Sequence, residues 1–151
     1  MMLRRTDSES NHFEHLTLMQ HLQELEAALA GLVCYAEVYA NLGSAEKICR
    51  CGKELRETVP SHFAHEEQAV LDAVALLGPQ WAAFAREMKG QHLQLQGKLD
   101  SFCGAIERLQ TSEDLENAIC QLKQRGEEFA DQMLSHMVAE ERKLSTITVN
   151  A

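Results

Sequence analysis

The stretch "HFAHEEQAVL", His62 to Leu71, sets two histidines and two glutamates into its first six residues, inside what otherwise reads as an amphipathic helix. Apolar positions recur every three or four residues here, so the periodicity turns part of that polarity inward. A second stretch, "HMVAEERKL" from His136 to Leu144, repeats the arrangement 74 residues later. Polar groups sent toward a core need partners, because burying them unpaired is costly.

The chain around these stretches is long enough, at 151 residues, for one complete core and too short for two ordinary domains. No apolar run approaches the roughly 18 residues that span a bilayer. The N-terminus, "MMLRRTDSESNHFEH", has two arginines but no apolar stretch behind them, so no secretory signal is expected. A formal net charge of −9 argues against nucleic acid or an anionic membrane as partner. The odd count of five cysteines points to free thiols in a reducing cytoplasm. Cys49 and Cys51 form a C-x-C pair, but side chains two apart on a helix diverge by about 200°, a poor geometry for one metal.

Helical spacing runs through the chain, and only the tail "STITVNA" alternates like a strand. The spacing predicts a first helix from about Asn11 to about Leu42, ended by residues 41–43. A second, capped by Ser44, runs to about Leu77 with a kink at Pro60. Gly78-Pro79 is a stop followed by a first-turn proline, opening a third helix to about Gln110. Thr111 with Asp114 resembles a capping box for a fourth, ending near Ser145. Four such helices with short connections predict an all-α fold, an up-down-up-down antiparallel four-helix bundle over residues 11–146. Residues 1–10 read as a flexible segment and 147–151 as a tail. Gly90, Gly97 and Gly104 recur every seven residues, which suggests close helix approach.

Each helix carries a histidine on its leucine face. The four stripes run His15, Leu18, Leu22, Leu25, Leu29, Val33; then Leu55, Val59, His62, Glu66, Ala69, Ala73, Leu77; then Trp81, Phe84, Met88, His92, Leu95, Leu99, Phe102, Ile106; and Leu115, Ile119, Leu122, Phe129, Met133, His136, Glu140, Leu144. His15 is followed after 47 residues by His62-x-x-x-Glu66, and His92 after 44 by His136-x-x-x-Glu140. "HLTL" begins at His15 and "HLQL" at His92, so the halves agree locally as well. A single histidine of this kind is usually an ordinary core residue; six polar residues in mirrored order are a ligand pattern.

Histidine and glutamate at i and i+4 share one helix face, about 6 Å apart along the axis, so both can reach one cation. Four imidazoles with two carboxylates suit iron, manganese or zinc. Cations also remove the difficulty of burying so many polar groups in a domain whose net stability is about 5–15 kcal/mol.

At these residues the chain resembles the hemerythrin-like family of HHE cation-binding proteins. "HFAHEE" is similar to the family's second-helix signature and "HMVAEE" to its last-helix H-x-x-x-E. "EHLTLMQHL" and "GQHLQLQGKL" resemble the first- and third-helix histidine segments. The resemblance implies two iron ions (Fe2+/Fe3+) with a bridging oxo or hydroxo group. His15, His62, His92 and His136 would be terminal ligands, and Glu66 and Glu140 the bridges. Oxygen carriers of the family place the last carboxylate five residues after its histidine, which makes Glu141 the alternative to Glu140. They also carry an H-x-x-x-H pair on the third helix, where this chain has Met88 and Gln96 four residues either side of His92. The six-ligand order H…HxxxE…H…HxxxE resembles iron-cluster repair proteins and some mycobacterial relatives. His65 and His12 are the candidates for a fifth histidine.

The expected function is binding or sensing of dioxygen, or of a related diatomic or peroxide ligand, in a pocket walled by Leu18, Leu22, Met88, Leu95 and Met133. The alternative is a di-iron redox enzyme acting on peroxide or nitric oxide, or in iron–sulfur cluster repair.

Overall fold

The computed structural model describes residues 3–147. Helix α1 spans Arg5–Ala30 and α2 spans Val38–Glu66. A π-helical turn, Glu67–Leu71, carries α2 into the short α3, Asp72–Ala75. Helices α4, Pro79–Thr111, and α5, Leu115–Leu144, complete the order. The four long helices pack as a bundle in which α1 and α4 each lie against both α2 and α5. Among the described residues, no helix is long and apolar enough to cross a membrane.

The largest departure from expectation is the first connection. The first helix stops at Ala30, not near Leu42, and Asn41 lies inside α2. Buried Asn41 accepts from the Val33 N–H at 2.8 Å and donates to the Val33 carbonyl at 2.9 Å. Lys123, from α5, donates to the Leu29 and Leu32 carbonyls at 3.0 and 2.9 Å, tying the end of α1 and the connection after it to α5. Tyr35 in the connection adopts φ of 62°, a conformation tertiary contacts must hold for a non-glycine residue. These contacts override a periodicity that would have carried the helix on, and they leave Val33 exposed.

At the other end, α1 begins at Arg5, ahead of the expected Asn11, and Leu3 before it is buried with Val70 and Val74. Part of the stretch expected to be flexible is therefore helix. Its first two residues, and the tail past residue 147, lie outside the described residues.

Gly78, at φ of 148°, precedes Pro79 at the start of α4 as expected. The cap of α5 is Asp114 itself, accepting from the Asn117 N–H at 3.1 Å, in place of the expected Thr111. The core divides in three. A large cluster joins Leu22, Leu25, Leu55, Phe63, Leu99, Phe102, Phe129 and Met133, and small clusters gather around Val70 and Leu71. Met88, expected beside Leu18 and Leu95, packs with Leu71 and Ala85 instead.

The expected close approach at Gly90, Gly97 and Gly104 is absent. A Cβ at Gly90 or Gly97 would meet open space, and one at Gly104 only the Arg108 guanidinium at 3.6 Å. Close approach occurs instead at buried Gly52 of α2, where a Cβ would collide with Ile106, and at buried Gly126 of α5, where a Cβ would lie 2.7 Å from Leu29 and 3.2 Å from Phe102. Gly90→Ala and Gly97→Ala are therefore expected to stabilise the protein by about 0.5–1 kcal/mol each, through helix propensity alone. Urea melts of the single variants check this; destabilisation by either would mean that the added methyl meets a neighbour.

Candidate metal centre

Helical register sends one histidine from each long helix inward: His15 from α1, His62 from α2, His92 from α4 and His136 from α5. Glu66 and Glu140, one turn after His62 and His136, join them and are fully buried. The π turn begins immediately after Glu66. It replaces the expected inward positions Ala69 and Ala73 by Val70, Leu71 and Val74, which are fully buried, so the helix face rotates directly beyond the carboxylate.

The two carboxylates divide their oxygens between two halves of the cluster. Glu66 Oε2 lies 2.9 Å from His15 Nε2 and 3.2 Å from His62 Nε2, while its Oε1 lies 2.9 Å from His92 Nε2. Glu140 Oε1 lies 3.2 Å from His15 Nε2, and its Oε2 lies 3.3 Å from His136 Nε2 and 3.9 Å from His92 Nε2. All four imidazoles thus present Nε2 to the centre. Donor atoms within 4.8 Å of one another form two groups that could each hold a cation: His15, His62 and Glu66, and Glu66, His92, His136 and Glu140.

Five of these inward atoms, Glu66 Oε1, both Glu140 oxygens and the Nε2 atoms of His92 and His136, make no aligned hydrogen bond despite the short separations. Distance without alignment is what lone pairs aimed at a common point produce, and unpaired buried polar atoms are otherwise rare. By donor chemistry and by these orphaned atoms, the residues fit a pair of cations.

Electrostatics without a cation follows the same contacts. Burial by itself disfavours the His15 imidazolium, but close contact with the Glu140 and Glu66 carboxylates and their charges prevail and raise its pKa to about 10. Against the same burial, His92 is raised to about 9 by the same two carboxylates. Burial likewise opposes ionisation of Glu66 and Glu140, yet both stay below the usual carboxylate range. Contact with Glu140 and with the His15, His62 and His92 imidazoles lowers Glu66; His136, His15 and His92 lower Glu140.

An outer set of acceptors faces the Nδ1 atoms. Glu141 Oε1 accepts from His15 Nδ1 at 2.7 Å, and Gln91 Oε1 accepts from His136 Nδ1 at 2.7 Å. Glu14 Oε2 faces His62 Nδ1 at 3.4 Å and Glu67 Oε2 faces His92 Nδ1 at 3.7 Å, both without a hydrogen bond. Each acceptor stands on a different helical segment from the imidazole it faces, so the set closes a ring: α1 serves α2, the π turn serves α4, α4 serves α5, and α5 serves α1. Phe63 adds a stacked contact on His92, with ring centroids 3.9 Å apart and planes 8° from parallel.

All six expected site residues converge. Glu140 is inside the cluster, and Glu141 is outside it, partly exposed and shared with His12 at 3.1 Å. His65 is also outside, donating Nδ1–H to Glu14 at 2.9 Å, and His21 faces Glu54 at 3.0 Å. Neither group of donor atoms contains a cysteine. All five cysteines are free, and burial pushes the Cys49 and Cys51 thiols up, away from thiolate. Sequence reasoning missed Glu14, Gln91 and Phe63. Their signal was adjacency: a residue beside a helical ligand points about 100° away, toward the neighbouring helix.

Two grooves reach the cluster from outside. One, of about 520 Å³, runs between α1 and α2, and Phe13, Glu14, Thr17, Leu18, Thr58 and His62 line it. The other, of about 460 Å³, runs between α4 and α5 and is lined by Gln91, Gln94, Leu95, Gln132, Ser135 and His136.

A helical bundle with a buried histidine–glutamate cluster defines a cation-binding domain. The chain matches the hemerythrin HHE cation binding domain over residues 6–147, and it belongs to that family. No curated protein and no solved structure gives a significant match.

Proposed function

We propose that the chain holds two iron ions between His15, His62, Glu66, His92, His136 and Glu140, and binds dioxygen or a related small ligand there. The partition of the Glu66 and Glu140 oxygens between the two halves is the observation that carries this reading, because a bridging carboxylate must offer one oxygen to each ion. A bound iron pair supplies reversible electron transfer to a small ligand. The protein's own residues do the rest. The outer acceptors orient the imidazoles, and Phe63 holds the His92 ring in plane. Leu18, Leu22, Leu95 and Met133 surround the site with apolar surface that limits water. An up-down-up-down course for the helices is part of the proposal, supported by the convergence of the six residues at one level. The five free thiols support a reducing, cytoplasmic setting, and the −9 charge supports a small ligand over nucleic acid.

Protein from iron-replete cells is expected to carry about two irons per chain. Its ferrous form is expected to gain a visible band with dioxygen that reverses under vacuum. Absence of bound transition metal would overturn the reading. A second reading, redox turnover of peroxide or nitric oxide, is favoured by one observation: separate grooves reach His62 and His136, so both halves are approachable. Rapid conversion to the ferric form with peroxide consumption would select it.

A further inference from the structure

The bundle is a pseudo-two-fold object, and its symmetry fails at one place in the outer ring. His15 and His92 stand 77 residues apart, and His62 and His136 stand 74 apart. At those offsets Glu66 corresponds to Glu140, Glu67 to Glu141, Leu18 to Leu95 and Ser61 to Ser135. The two grooves correspond as well, with Thr17 and Thr58 in one standing where Gln94 and Gln132 stand in the other. Among the four outer acceptors, Glu14 corresponds to Gln91. The His15–His62 half is therefore backed by two carboxylates, Glu141 and Glu14, and the His92–His136 half by one carboxylate, Glu67, and one neutral amide.

Within the inner cluster the short contacts give each half two Nε2 atoms and one oxygen from each bridging carboxylate, although Glu140 joins only the tighter donor group of His92 and His136. The ring adds a charge difference of its own. A carboxylate facing an imidazole adds negative charge beside a cation held at the far nitrogen, and where it accepts the N–H, as Glu141 does from His15, it also makes the imidazole a stronger donor; an amide orients the ring and adds no charge. Gln91 is committed to the amide role, with its Oε1 on His136 and its Nε2 directed to Glu87. His65 and His12 also face Glu14 and Glu141, at 2.9 and 3.1 Å.

From this asymmetry we infer that Glu14 and Gln91 are positioning residues that make the two cation sites unequal, the His15–His62 site holding its ion more tightly and the His92–His136 site giving its ion up first. The inference rests on the proposed metal pair. Outer partners of this kind are worth about 10–100-fold in affinity.

Either single exchange makes the ring symmetric. Protein loaded with zinc at pH 8 is challenged with excess colorimetric chelator, and release is followed against time. The wild type is expected to lose its two ions in two phases of equal amplitude, differing in rate by about tenfold or more. Glu14→Gln is expected to merge them into one fast phase, and Gln91→Glu into one slow phase. Circular dichroism confirms that each variant folds. Uptake of fewer than two zinc ions per chain overturns the proposed metal pair and this inference with it. Two ions released in a single phase, or both variants keeping the wild-type rate ratio, overturn the inference and leave the metal pair standing.

Discussion

Glu66→Ala is expected to strip the protein of transition metal and to lower its folding stability by about 3–5 kcal/mol. Glu66 belongs to both donor groups, so its loss opens both sites at once. It is fully buried and within 2.9–3.2 Å of three imidazoles, His15, His62 and His92, whose Nε2 atoms would face a void. Truncating one partner of a buried pair is costly because the others stay buried without compensation. Glu66→Gln separates the two effects, since the amide fills the space and accepts one hydrogen bond but carries no charge for a cation. That variant is expected to lose metal while keeping most of the stability. Metal analysis and denaturant melts of both variants decide the matter: retained metal in Glu66→Ala would remove Glu66 from the site.

The second large effect is a dependence of stability on pH that metal should abolish. In the cation-free protein, His15 and His92 have pKa values raised from 6.5 to about 10 and about 9. A histidine raised on folding contributes stability that is complete below about pH 6.5 and is lost as pH rises through its folded pKa. A tenfold gain in proton affinity is worth about 1.4 kcal/mol, so the metal-free protein is expected to lose several kcal/mol between about pH 7 and pH 10. Glu66 and Glu140 are shifted the other way, so their contribution is present at neutral pH and lost in acid. Cations take the place of the imidazole protons, and loaded protein should therefore gain relative to metal-free protein as pH rises. Thermal melts of chelator-treated and zinc-loaded protein at about pH 7 and pH 9.5 test this. An unchanged gap between the two melting temperatures would show that the imidazoles do not hold protons against the carboxylates.

Much of this architecture was legible in the order of residues. Leu18, Leu22, Leu25 and Leu29 on α1, and Phe129, Met133, His136 and Glu140 on α5, are buried where 3.6-residue periodicity sends them. Periodicity failed at two places where non-local contacts outweigh local preference. Asn41 and Lys123 hold an irregular connection that the helical spacing of residues 30–42 conceals. The π turn after Glu66 shifts the inward face from Ala69 and Ala73 to Val70 and Val74.

The sequence by itself determined which residues meet: the spacing along each helix selects one face, and that face carries His15, His62, Glu66, His92, His136 and Glu140. Only the tertiary structure decided what each of them faces. It placed Glu140 inside and Glu141 outside, because neighbouring residues on a helix differ by about 100° in direction and the packing of α5 against α1 assigns the inward one. It also turned Glu14, Gln91, Glu67 and Glu141 toward imidazoles on other elements. Those pairings join residues 25 to 126 positions apart, and a separation of that size leaves no trace in local spacing.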